Sequence, residues 1–169
     1  MAKITISGCH GTSNKCAAKI LAEGFELSPQ GKLGAGIYIW EKQEGWRELA
    51  TDWHAQKVAA GRYDGDISIA IIFCDLTVAG QNFLDMLDTA VKGMVDAFVS
   101  SEITVPSDRM YDWIVERLEK LLGNKILLVR SYVSIPAPRI RNYKGNKPIS
   151  LLAKCKSIVT ITSVEGLKS

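Results

Sequence analysis

Two short stretches decide how this chain reads: Gly8-Cys9-His10-Gly11-Thr12 and Leu33-Gly34-Ala35-Gly36-Ile37-Tyr38-Ile39-Trp40. The first follows an alternating run, with Ile4 and Ile6 on one face and Thr5 and Ser7 on the other, which predicts a strand over residues 3–7. The pentapeptide then stands where that strand ends and a helix begins. A histidine there, followed by glycine, offers an imidazole and a backbone that a flat ligand can approach closely. In the second stretch, glycines bracket a small residue before an aromatic on a short strand, making a slot with a stacking face. It lacks the third glycine and the following helix of a Gly-x-Gly-x-x-Gly nucleotide loop. Taken alone, the first stretch also fits a polar turn whose histidine satisfies a neighbouring backbone group. The second alone also fits a bulged edge strand with Tyr38 in the core.

Working outward, Thr12 or Ser13 is placed to cap a helix through Ala17, Ala18, Ile20 and Leu21, closed by Gly24. Residues 45–60 follow a helical period, with Trp46, Leu49, Ala50, Trp53 and Val58 as the apolar stripe. The β-branched run 67–73 predicts a central buried strand. Helices are expected over 83–100 and 107–122, the second capped by Ser107, stopped by Gly123, and with Leu118, Leu121 and Leu122 on its inner face. Strands are expected at 125–129, 149–153 and 158–161. Strands at both ends with helices between them give an α+β class, and the length of 169 residues fits a single domain over 1–169.

Composition narrows the function classes. The chain is 47% apolar and 23% charged, enough to build a core, with no run of about 20 apolar residues of the kind a membrane span needs. The start carries no apolar signal core, so the expectation is a soluble, cytoplasmic protein without a membrane partner. Cys9, Cys16, Cys74 and Cys155 are far apart, and with only His10 and His54 beside them the spacing for a Cys/His metal site is missing; no metal is expected. The net charge of +3 hides an uneven distribution: residues 1–123 balance to −5, residues 124–169 to +8. Arg139, Arg141, Lys144, Lys147, Lys154 and Lys156 fall in the basic part, with Pro136-Ala137-Pro138 opening a loop that carries Tyr143 among its cations. Such a run is either a solvated face or a field that concentrates phosphates.

Taken together, His10-Gly11-Thr12, Gly24-Phe25, Ser28, Leu33-Gly34-x-Gly36-Ile37-Tyr38 and Trp40-Glu41 resemble the N-terminal half of the PARP-like (diphtheria-toxin-type, His-Tyr-Glu class) ADP-ribosyltransferases. The likeness is narrowest to small bacterial members and covers residues 8–41. Beyond them it thins to a strand near 67–75, the Asn82–Asp88 stretch and the closing strands.

The resemblance implies a split mixed or antiparallel β-sheet that grips NAD, as substrate, in its cleft. His10 would bond a ribose, the Gly11 backbone the carboxamide, and Tyr38 would stack on nicotinamide, with Thr12 and Gly36 in the same wall. Trp46 or Trp53 would close the other side of the ring. Aligning 149–154 with the family's late strand puts Ser150 at the third catalytic position, where the family carries glutamate or glutamine. Serine is too short to polarise a ribose hydroxyl in the same way, which argues against long-chain polymer synthesis. Glu102 is the candidate stand-in. The implied activity is mono-ADP-ribosyl transfer to a macromolecule, with Arg139, Arg141, Tyr143, Lys144 and Lys147 as the acceptor surface and a nucleic acid favoured as acceptor. A protein acceptor, NAD hydrolysis, or an inactive NAD- or nucleic-acid-binding module are the alternatives. Small free-standing members of this type suit a toxin or defence effector, with an antitoxin or inhibitor protein as a possible partner.

Overall fold

Strand β1 (Lys3–Thr12) is the centre of the molecule, and it does not stop at Ser7. Gly8, His10, Gly11 and Thr12 all continue it, in unbroken antiparallel register with β3 (Ala70–Ala79) from Lys3↔Ala79 to Thr12↔Ala70. Pairing overrides the weak strand preference of glycine, so the expected turn is strand to its last residue. The computed structural model describes residues 2–101, 110–134, 142–145 and 147–166.

The other elements are α1 (Asn14–Glu23), β2 (Ile37–Glu41), α2 (Trp46–Ala59), β4 (Phe83–Asp85), α3 (Thr89–Ser101), α4 (Met110–Leu122), β5 (Leu128–Tyr132), β6 (Ile149–Ala153) and β7 (Val159–Glu165). The seven strands form one mixed sheet in the order β4-β5-β6-β2-β1-β3-β7, in which β4 and β5 run parallel and the other neighbours antiparallel. The class is α+β, as expected. No helix among the described residues is long and apolar enough to cross a membrane.

Alternation along the strands sends side chains to two cores. Trp40, Val129 and Leu152 face one side, where Leu49 of α2 and Ile114, Val115 and Leu118 of α4 cover them. Ile39, Ile72, Leu76 and Leu151 face the other, with Ala17 of α1 and Phe25. A partly buried ionic clamp ties the β4-side strands together. Arg130 of β5 reaches Glu41 of β2 through two hydrogen bonds (2.6 and 2.7 Å) and Asp85 of β4 through a third (3.0 Å).

Several sequence expectations shift. The central strand begins at Ala70, and Ile67 is 77% exposed in the irregular stretch before it. Residues 83–85 are a strand, not the first turn of a helix. The strand expected at 125–129 lies at 128–132 because Glu119 captures the Ile126 amide and Asn82 the Lys125 carbonyl. Leu121 and Leu122, expected inside, are exposed. Ser107 lies outside the described residues.

Candidate functional site

The sheet is continuous except at its middle. β1 and β2 share only two register pairs, Gly8↔Glu41 and Cys9↔Trp40, and on the His10 side of them the strands part. There the Tyr38 carbonyl meets a side chain: His10 Nδ1 lies 3.0 Å from it. The opening is a cavity of about 550 Å³, within the range of small-molecule sites. Its walls come from β1 (His10, Thr12), α1, the segment 24–32, β2 (Ile37–Trp40), one turn of α2 (Trp53, Gln56, Lys57) and Ser150 of β6.

The hydrogen bond of His10 fixes its chemistry. A carbonyl oxygen only accepts, so Nδ1 must carry the proton and donate it to Tyr38. Burial pushes the imidazole below the ordinary histidine value, and the Lys57 ammonium adds to that, so the ring is neutral near pH 7. Nε2 of a neutral ring with a protonated Nδ1 is a lone pair. It suits a hydroxyl donor on a ligand. Phe25 holds the ring edge-on at a centroid distance of 5.5 Å.

Tyr38 is half-buried and locked from its own loop. Its hydroxyl accepts from the Leu33 amide (2.9 Å) and donates to the Gly34 carbonyl (2.6 Å). Burial pushes the phenol up to about 12, with the nearby Asp112 charge acting the same way, so the hydroxyl stays protonated. The loop needs its glycines. Gly34 has φ +97°, and a Cβ there would stand 2.1 Å from Asp112 Oδ1; at Gly36 it would stand 2.6 Å from the Ala153 carbonyl. Ser28 and Gly36 exchange both backbone hydrogen bonds at 2.9 Å. Residues spread over the first 38 positions (His10, Phe25, Ser28, Gly36, Tyr38) therefore form one wall, with Gly34 holding the Tyr38 hydroxyl.

Other expected site residues fall differently. Gly11 is not in the cavity wall; its missing side chain makes room for α2, because a Cβ would stand 2.2 Å from the Ala50 carbonyl. Trp46 packs on Phe73 at 5.2 Å, away from the cavity, and Trp53 lines it instead, edge-on to Trp40 at 5.7 Å. Thr12 is buried in the wall. Ser150 is 2% exposed, set between Trp40 and Ser131 in the sheet register, and also contributes to the wall. Cys9, beside His10, is fully buried, and burial pushes its thiol up to about 12, away from the thiolate a nucleophile needs.

The basic segment is only partly described, and Arg139, Arg141 and Glu102 lie outside the described residues. Tyr143, expected to stack on a base, is 8% exposed, with its ring against Gly45 and Gly145; it is a core residue. The exposed aromatic–cation pair is instead Tyr132 with Lys147, 5.2 Å from amine to ring centroid. Lys144 is exposed. Lys154 is taken by Asp112 at 3.1 Å. Sequence reasoning missed Asp52, a buried carboxylate on α2 that accepts from the Asn142 amide (2.9 Å), the Asn142 side chain (2.7 Å) and the Tyr143 amide (3.0 Å). That anchor holds residues 142–143 of the basic segment beside the α2 turn that lines the cavity.

Among the described residues, no cluster of His, Cys, Asp and Glu is arranged to hold a metal ion. Comparison with protein families, with curated proteins and with solved structures gave no match to this chain.

Proposed function

We propose that the chain is an NAD-binding domain of the PARP-like ADP-ribosyltransferase type. Its particular activity on this reading is transfer of a single ADP-ribose from NAD to a macromolecular acceptor, with nucleic acid favoured. The observation that carries the reading is the pairing, in one cavity at the parting of β1 and β2, of a lone-pair imidazole nitrogen on His10 with the locked aromatic ring of Tyr38. The first suits a ribose hydroxyl and the second a nicotinamide face, with Trp53 as the second aromatic of that wall.

In the proposed reaction the bond between the ribose anomeric carbon and the nicotinamide nitrogen breaks, and nicotinamide leaves with the electron pair. A lone pair of the acceptor forms the new bond to that carbon, and the acceptor's proton passes to solvent. The protein's part is orientation of the ring and the sugar. The acceptor preference rests on charge: Lys144 and Lys147 are exposed on a segment that Asp52 anchors next to the cavity. Burial of the short Ser150 side chain at the third catalytic position favours a second reading, a module that binds NAD without transferring it.

The test is incubation with adenylate-labelled NAD and cell extract, followed by nuclease or protease. Label lost on nuclease treatment is the expected result. Label lost only on protease treatment moves the acceptor to protein, and free ADP-ribose alone makes the domain a hydrolase. Intact NAD that is bound but not consumed supports the binding module; no NAD binding ends the reading altogether.

A further inference from the structure

Lys57 follows Trp53 by one turn of α2, and both line the cavity. Its ammonium lies 4.8 Å from the centre of the Trp53 ring. Lys19, also in the wall, is neutralised by Glu26 at 2.6 Å, and Lys32 gives its amine to the Ser134 carbonyl at 2.5 Å. The Lys57 ammonium makes no ion pair or hydrogen bond among the described residues. The side chain is half-buried, so an indole face replaces part of its water, and the like charge of Arg62 acts on it. A partly desolvated cation without a counter-ion gains more from an incoming anion than an exposed lysine does. His10 and Lys57 line the same cavity, and the Lys57 charge acts on the imidazole.

We propose that Lys57, standing over Trp53, is a phosphoryl-binding subsite of the cavity and takes the diphosphate of the dinucleotide whose ribose hydroxyl His10 accepts. This rests on the NAD reading and adds to it a residue that discriminates phosphorylated from unphosphorylated nucleosides. Trp53 fixes the amine by a cation–π contact, so no rotamer search is needed when the anion arrives.

The experiment is calorimetric titration of wild type, Lys57→Gln and Lys57→Arg with NAD and with nicotinamide riboside, which has no phosphoryl group. Lys57→Gln is expected to weaken NAD about tenfold, to leave the riboside unchanged and to flatten the dependence of NAD affinity on salt. Lys57→Arg is expected to keep NAD affinity. Equal NAD affinity in wild type and Lys57→Gln overturns the subsite, and so does an equal loss for NAD and riboside. Failure of the wild type to bind NAD overturns the underlying reading. Inorganic pyrophosphate then decides the subsite: tighter binding by wild type than by Lys57→Gln upholds it, and equal binding removes it.

Discussion

Removing a single oxygen atom separates the two roles of Tyr38. In Tyr38→Phe the ring that lines the cavity stays, but the Leu33 amide loses its acceptor and the Gly34 carbonyl its donor. Leu33 is 2% exposed and Gly34 is buried, so water does not readily replace the hydroxyl. Each orphaned group costs about 1–3 kcal/mol, and taking the low end for both gives about 2 kcal/mol of lost stability. For a domain of this size that lowers Tm by about 4–8 °C. The loss is independent of pH across the physiological range, because the phenol, pushed up to about 12, donates throughout. Urea denaturation is the assay, with an unchanged m-value as the sign that only the native state was altered. Amide exchange at Leu33 should accelerate alongside. Tyr38→Ala adds the loss of the ring, and NAD binding should vanish there while surviving within a few-fold in Tyr38→Phe. Stability of Tyr38→Phe within about 0.5 kcal/mol of wild type, with Leu33 exchange unchanged, would refute the lock, since that is the ordinary scatter of a surface change.

Two further outcomes are expected. Burial lowers both histidines, His10 and His54, below their ordinary value. The unfolded chain therefore binds more protons than the folded one as pH falls through about 6.5, so stability is full above that value and declines between it and pH 5. Urea midpoints at pH 8, 7, 6 and 5 measure this; a flat profile from 7 to 5 sinks the assignment, because Asp66 and Glu119, whose carboxyls are held low, begin to contribute only below that window. Asp112→Ala removes the acceptor of the Ala35 amide (3.3 Å) and the partner of Lys154 (3.1 Å). Both partners of that ion pair are partly exposed, so global stability should fall by no more than about 1 kcal/mol. Exchange of the Ala35 amide should rise at least about tenfold as the glycine loop loosens, and an unaltered rate would show that Asp112 does not hold the loop.

What the sequence revealed and what it hid follow from the range of the interactions. The caps of α1 were legible because they are local: Ser13 accepts the Cys16 amide three residues on, and Gly24 closes the helix with φ +80°. The aromatic strand at Tyr38 was legible for the same reason. Residues 83–85 were not, since a short apolar run fits either period and only parallel pairing with β5 makes it a strand. Gly11 looked like an opening for a ligand, but it is a close approach of α2, a contact made 39 residues away. Polar residues whose role depends on a distant partner left no signal in the sequence at all. Asp52 bonds residues 90 positions away and Asp112 bonds Ala35 across 77. Lys57 reads in the sequence as one more cation on a solvated helix face.

The parting of the strands and the chemistry of the cavity are a single feature. An antiparallel ladder that began with Gly8↔Glu41 and Cys9↔Trp40 would, if continued, bring further β1 backbone against Tyr38 and leave no cavity. The Tyr38 carbonyl is met by an imidazole instead, so a side chain occupies the space where the next backbone pair would form. On its far side β1 stays fully paired with β3, and β2 with β6, so neither strand is free to close the gap by bending. The hydrogen bond that replaces the ladder also sets the tautomer, leaving the lone pair on Nε2. A residue able to donate to a backbone carbonyl from one atom while presenting an acceptor on another is needed here, and among neutral side chains of that length only histidine and the flexible amides qualify. Phe25, edge-on to the ring, supplies the rigidity that an amide would lack. His10 thus opens the sheet and equips the opening with the same ring.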